Sequence, residues 1–187
     1  MEFYDEKGNK VPYDIAEVVE RQQAQTYVKP DDCVLELGAR YGGVAVTINK
    51  KLNNKKNQVS VEPDEKVWDA LETNIKNHNC DIEIIKGTIS KKKQKIVGRG
   101  WATRTVEGGD VNNYEIPNKP FNVLIADCEG FLETFYRENI EFFKQLRLII
   151  FEKDFPENCD YDFIVKELLT LGFKEEVSGF HSVFIKK

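Results

Sequence analysis

The run CVLELGARYGGVAVTI, from Cys33 to Ile48, decides how the chain is read. CVLELG is a short apolar strand interrupted by one acid, Glu36. It leaves through Gly38 into a glycine turn, and from Gly43 to Leu52 the apolar residues recur as Val44, Ile48 and Leu52, one face of a helix. Strand, glycine turn and helix in that order open a unit in which the next strand lies parallel to the first.

Four more apolar runs follow: QVSVEP (58–63), DIEIIKG (81–87), FNVLIAD (121–127) and LRLIIFE (146–152). Helical periods lie between them. Asp64 to Asn79 turns Val67, Leu71 and Ile75 inward, Phe131 to Lys144 carries Phe135, Phe142 and Phe143, and Tyr161 to Leu171 closes on Gly172. A leading helix is expected from Asp14 to Tyr27. At the end of the chain FKEEVSGF and HSVFIKK read as an antiparallel hairpin. The pattern predicts an α/β fold with a Rossmann-like, doubly wound, mostly parallel sheet and a C-terminal antiparallel hairpin strand. It predicts a single domain over 1–187, with a leading helical segment (1–30) and a variable excursion (90–119) holding a strand near Trp101 to Val106.

The 187 residues are 41% hydrophobic and 32% charged, the balance of a globular protein. A formal net charge of −5 argues against nucleic-acid or anionic-membrane partners, which need surplus Lys and Arg. Cys33, Cys80, Cys128 and Cys159 lie far apart and form no C-x-x-C pair, so a reduced, cytoplasmic protein is expected. There is neither a signal-peptide pattern nor an apolar run long enough to span a bilayer.

The glycine loop Glu36-Leu37-Gly38-Ala39-Arg40-Tyr41-Gly42-Gly43 has the spacing G-x-x-x-G-G, not the G-x-G-x-x-G of dinucleotide binders. Glu36 at the strand end suits a ligand carrying an ammonium group and repels a pyrophosphate. Glu62 ends the second strand, where a nucleotide binder keeps the carboxylate that accepts ribose hydroxyls. An adenosine-bearing ligand is expected. Asp127 and Glu129 follow the fourth apolar run, and Glu152 and Asp154 the fifth.

In VLELGARYGGVAVTI, VEPDEKVWDALETNIKNHN, IADCEGFLE and LIIFEKD, taken in order, the chain resembles class I S-adenosylmethionine-dependent methyltransferases, and within them the FkbM-like family. The likeness spans Tyr27 to Asp154. It implies S-adenosyl-L-methionine as cofactor, with Glu36, Gly38, Ala39 and Gly42 around its methionine part. Arg40 and Tyr41 complete that loop, where the family usually has Asn and an aliphatic residue. Glu62, with Pro63 and Asp64, falls on the ribose. Gly87, Thr88 and Ile89 fall at the adenine edge, Thr88 replacing the family's usual Ala. Asp127 and Glu129 match the acids of a D-x-E-G motif, and Glu152 an acid after the fifth strand.

The implied activity is O-methylation of a sugar, glycan or related small molecule. Asp127 and Glu129 then hold the ammonium and orient the acceptor, or one is a general base, or with Glu152 or Asp154 they bind Mg²⁺ or Mn²⁺. Alternatively, Glu129 merely caps the following helix. His181 is a further candidate base, whereas His78 reads as a solvated surface residue. Lys91, Lys92, Lys93 and Lys95, with Arg99 and Arg104, form a solvated loop or steer an acceptor's phosphate. Trp101 stacks on a sugar or covers the sheet edge. Two competing readings are an NAD-dependent oxidoreductase and a catalytically inactive cofactor-binding module.

Overall fold

The computed structural model describes residues 1–12, 17–99 and 102–186. Its central sheet has seven strands: β1 (Val34–Leu37), β2 (Gln58–Glu62), β3 (Glu83–Lys86), β4 (Val123–Ala126), β5 (Leu148–Glu152), β6 (Phe173–Val177) and β7 (His181–Lys186). They lie in the order β3-β2-β1-β4-β5-β7-β6. The first five are parallel, and β7 runs antiparallel to both β5 and β6. The expected α/β fold with its reversed C-terminal strand is what the chain adopts.

Every residue of β1 and β4 is buried, so both strand faces need cover. The two-residue period sends Val34, Val123 and Ile125 to one side, beneath α1 (Val18–Tyr27) and α2 (Gly43–Lys51). Leu35, Leu37, Leu124 and Ala126 go to the other side. They pack there with Leu132 and Phe135 of α4 (Leu132–Glu138), Phe142 and Phe143 of α5 (Ile140–Gln145), and Ile164 and Leu168 of α6 (Tyr161–Thr170). Helix α3 (Trp68–Asn77) adds Ala70, Leu71 and Ile75 to Val46 of α2.

Several boundaries differ from the sequence reading. The helix expected over 131–144 is two helices, because Asn139 leaves helical geometry at φ −135° and ψ 38°. The break lets Phe135 meet both Phe142 and Phe143 at 5.8 Å between ring centres. The second crossover starts as a 3-10 turn, Glu65–Val67, in which the Asp64 side chain accepts from the Lys66 N–H. Helix α1 is described from Val18, and Asp14 lies outside the described residues. The excursion is a hairpin, Gln94–Arg99 with Ala102–Glu107, so the expected strand is half of a pair; Trp101 also lies outside the described residues. An unexpected hairpin, Phe3–Tyr4 with Lys10–Val11, lays Phe3 against His78. His78 is therefore a half-buried surface residue that also packs, its Nε2 2.9 Å from the Glu2 carbonyl.

The edge of the sheet away from the strands' carboxyl ends is tied by one buried acid. Asp32, 2% exposed, accepts from the Arg147 guanidinium before β5, from Asn122 Nδ2 before β4, and from the Lys29 N–H. Removing Arg147 leaves that carboxylate buried and short of its cation. Arg147→Ala should therefore lose about 3–5 kcal/mol of unfolding free energy. A urea midpoint within error of the parent would show that the pair does not hold this edge.

Candidate functional site

The chain runs outward from β1 through β2 to β3, then returns to lay β4 on the other side of β1. Crevices in open α/β sheets form where the order reverses, outside the strands' carboxyl ends. At that point Gly38 turns out of β1 with φ 89°, and a Cβ there would lie 1.6 Å from the Asp127 carbonyl oxygen. Only glycine allows this approach. The backbones are stitched there by Asp127 N–H to Leu37 O at 3.1 Å and Gly38 N–H to Val61 O at 3.0 Å.

Above this junction lies a cavity of about 480 Å³. Gly38, Arg40, Glu62, Asp127, Glu129 and Glu152 reach it from the strand ends, and Pro63 and Thr88 line it too. Its apolar floor includes Leu37, Val61 and Phe131. Other expected site residues do not line it. Ala39, Tyr41 and Ile89 are buried in the core, and the Tyr41 hydroxyl donates to Glu6. Gly42 packs against Leu71 at the start of α2, and Gly87 makes room for the Asn112 carbonyl. Asp64 caps its turn and lies 3.7 Å from Arg40 Nη1.

Glu62 is 4% exposed. Its two oxygens accept the Arg40 N–H at 2.7 Å and the Asp64 N–H at 2.8 Å, and burial pushes its carboxyl up to about 7. Glu36 pairs with Ser60 across β1 and β2, on the face that α2 covers. A buried polar chain, Asn49 to Gln58 to Ser60 to Glu36, ends at its Oε2, while its Oε1 has no partner. Burial pushes Glu36 up to about 8 against those bonds. Glu36 opens on a smaller cavity of about 10 Å³, shared with Glu20, Asp127 and Glu152.

Asp127 is raised well above the carboxylate range by burial and then by the Asp154 charge. Glu129 takes the left-handed backbone region, φ 53°, and its carboxyl is raised by burial and by hydrogen bonding to Asp154. It does not cap α4, which starts at Leu132 without a side-chain cap, so the capping alternative is withdrawn. Asp154 Oδ1 accepts from the Gly130 N–H and the Tyr161 hydroxyl, both at 3.0 Å. Burial pushes the Cys128 thiol well up, which keeps it neutral although it lines the cavity.

Among the described residues, one set of oxygens close enough to share a cation is that of Asp127, Glu152 and Asp154. Asp154 thus takes the place expected of Glu129 in a metal set. His181 lies behind Glu152 and not on the cavity wall. Arg104 is paired with Glu157 at 3.1 Å and Lys92 with Glu107 at 2.8 Å, both outside this wall.

Four polar lining residues were not anticipated: Glu17, Glu20, Thr103 and Thr105. The inward face of α1 is Glu20, Gln23 and Ala24, polar where a helix against a sheet is usually apolar. That stripe was the available signal. Glu17, at φ 52°, sends its carboxylate to the start of α2, where it accepts the Val44 N–H; its Oε2 lies 2.5 Å from where a Gly43 Cβ would be. Burial, then the Glu36 and Glu20 charges, push it up to about 7.

No protein-family model matches the chain, and no curated protein matches it in sequence. Solved structures do match. An O-methyltransferase from Bacillus cereus in complex with SAH aligns with a TM-score of 0.58 and 13% identity, over 94% of this chain and 84% of that one. A precorrin-6y C5,15-methyltransferase from Geobacter metallireducens GS-15 gives 0.57 and 12%, over 89% and 87%. A ribosomal protein L11 methylase from Lactobacillus delbrueckii subsp. bulgaricus gives 0.54 and 14%, over 90% and 77%. At such identities the likeness establishes the fold, which is that of class I methyltransferases.

The raised carboxyls set a pH dependence. Glu17, Glu36 and Glu62 bind protons more tightly folded than unfolded, so the stability they contribute is complete below pH 4.5 and lost as pH rises through about 7 to 8. Each contributes a slope of up to about 1.4 kcal/mol per pH unit inside that window. Urea unfolding from pH 5 to pH 8.5 should show this fall, and Glu36→Gln should flatten it. A variant with the parent's slope would rule out Glu36 as a source.

Proposed function

We propose that the protein is an S-adenosylmethionine-dependent O-methyltransferase of the FkbM-like type, acting on a hydroxyl of a sugar, glycan or related small molecule. The observation that carries the reading is that Glu62, Asp127 and Glu129 meet around one cavity at the reversal of strand order. When bound, the cofactor supplies a methyl group on a sulfonium, an electrophile that needs no further activation.

The chain's residues divide the remaining work. Glu62, fixed by two backbone N–H groups, keeps a second lone pair on each oxygen for ribose hydroxyls. Asp127 and the acids behind it suit a cationic ligand and disfavour a pyrophosphate. Glu129 shares a hydrogen bond with Asp154, and its raised carboxyl makes its ionised form a stronger base toward an acceptor hydroxyl. Thr103 and Thr105 of the excursion hairpin offer hydroxyls to a polyhydroxylated acceptor, and Leu37, Val61 and Phe131 keep water from the floor. Among the described residues Arg40 is the one basic side chain on this wall, outnumbered by its acids, which supports an acceptor other than nucleic acid or a membrane surface.

Thermal shift with S-adenosylmethionine and with NADH tests the cofactor, and transfer of labelled methyl to sugars, nucleotide sugars and phenols tests the acceptor. Stabilisation by the first ligand alone is expected, with affinity rising between pH 6 and pH 8.5 as buried carboxyls ionise. Glu62→Ala should weaken cofactor binding at least about tenfold, a loss of ~1.4 kcal/mol. Glu129→Ala should retain that affinity and lose turnover by about 10²-fold. Stabilisation by NADH alone would overturn the reading. Cofactor binding without transfer to any acceptor would leave a binding module, and equal loss of cofactor affinity in both variants would refute the division of roles.

A further inference from the structure

Behind the cavity wall Glu20 of α1, Glu152 at the end of β5 and His181 at the start of β7 converge, their ligand atoms all within 4.8 Å of one another. His181 Nδ1 is 3.3 Å from Glu20 Oε1 and 3.8 Å from Glu152 Oε2. Atoms bound at about 2.1 Å to one metal are separated by roughly 3.0 Å at octahedral and 3.4 Å at tetrahedral angles. The triad is thus close to the span of a coordination shell. Glu20 and Glu152 share a hydrogen bond, whereas the buried His181 Nδ1 makes none, which leaves the imidazole nitrogen for an ion.

A second observation points the same way. Glu36, 1% exposed and with Oε1 unpartnered, faces the small cavity that Glu20 and Glu152 also line. That volume of about 10 Å³ is the scale of one water molecule or ion. Four carboxylates, Glu20, Glu36, Asp127 and Glu152, line it with no Lys or Arg among the lining residues, and the His181 imidazole adjoins it through Glu20 and Glu152. We infer that Glu20, Glu152 and His181 form a site for a first-row transition-metal ion, Mn²⁺, Fe²⁺ or Zn²⁺, with Glu36 beside it. The imidazole selects against Mg²⁺ and Ca²⁺, which prefer all-oxygen shells. The oxygen-only set through Asp154 is the weaker competitor, because Asp154 already accepts from Gly130 and Tyr161.

The backbone supports the placement. Gln23 Nε2, one turn after Glu20 on α1, donates to the His181 carbonyl at 3.2 Å. Glu152 and His181 are opposed in the β5–β7 ladder. The ion would therefore join a helix to two strands, and it would neutralise Glu152 on the main cavity's wall. The site does not depend on methyl transfer, and its test uses neither cofactor nor acceptor.

Mn²⁺ is titrated into the chelator-treated full chain by calorimetry, with pulsed electron paramagnetic resonance on the complex. One ion per chain is expected, with modulation from a directly bound nitrogen. Glu20→Gln and His181→Gln should each weaken binding at least about tenfold, the scale of losses at metal-site partners, while Asp154→Asn should leave it unchanged. Absence of saturable binding, an ion without nitrogen coupling, or affinity lost only in Asp154→Asn would each overturn the assignment. Because the nitrogen signal is read on the parent chain, it decides the matter even if a variant fails to fold. Failure of S-adenosylmethionine to bind would count against the proposed function and leave this site intact.

Discussion

Gly38 leaves room for the Asp127 carbonyl where the two halves of the sheet meet, and the site is built around that contact. Strands β1 and β4 are hydrogen-bonded neighbours, yet the chain leaves them toward opposite faces. They can stay in register up to their last residues only if one gives up its side chain at the point of divergence. Gly38 does so, at a backbone angle other residues avoid. A methyl group there would wedge β1 from β4 and move Glu62 away from Asp127. The cavity's acidic rim is thus a consequence of one backbone contact.

Crowding so many acids into a small volume is an electrostatic problem that the chain meets by protonation. Burial raises Glu17, Glu36, Glu62 and Asp127, so much of the potential charge is absent until a cation arrives. The polar chain from Asn49 to Glu36 works in the same direction: it satisfies one oxygen of Glu36 and leaves the other for a ligand. The apolar faces supply the stability that such a cluster consumes, through the aromatic packing of α4 and α5 on one side and the aliphatic packing of α1 and α2 on the other.

What could be read in the sequence followed from periodicity and from residues at strand ends. The five parallel strands, the terminal hairpin and the acids Glu62, Asp127, Glu129 and Glu152 were legible because each acid closes an apolar run at the edge where parallel sheets keep ligands. Other features were not. Ala39, Tyr41 and Ile89 follow strand ends in sequence but turn inward, a choice made by tertiary packing. The pairing of Gln58, Ser60 and Glu36 depends on the register of two strands, which neither strand encodes alone. Asn139 divides a helix whose composition is continuous, because two shorter helices pack their phenylalanines more closely. The acids of the leading segment were overlooked for a related reason: the direction of a helix face is fixed only by what it covers.

Glu17 bears on which nucleotide the fold can accept. Phosphate groups ordinarily settle at the amino end of the first crossover helix, where free N–H groups and the helix dipole favour an anion. Here a side chain from the chain itself already occupies that end. An incoming pyrophosphate would meet a resident carboxylate held in place by α1, whereas a cation would find it an ally. Discrimination between these two kinds of ligand is therefore written upstream of the glycine turn, and exchanging the leading segment would change it with the turn left intact.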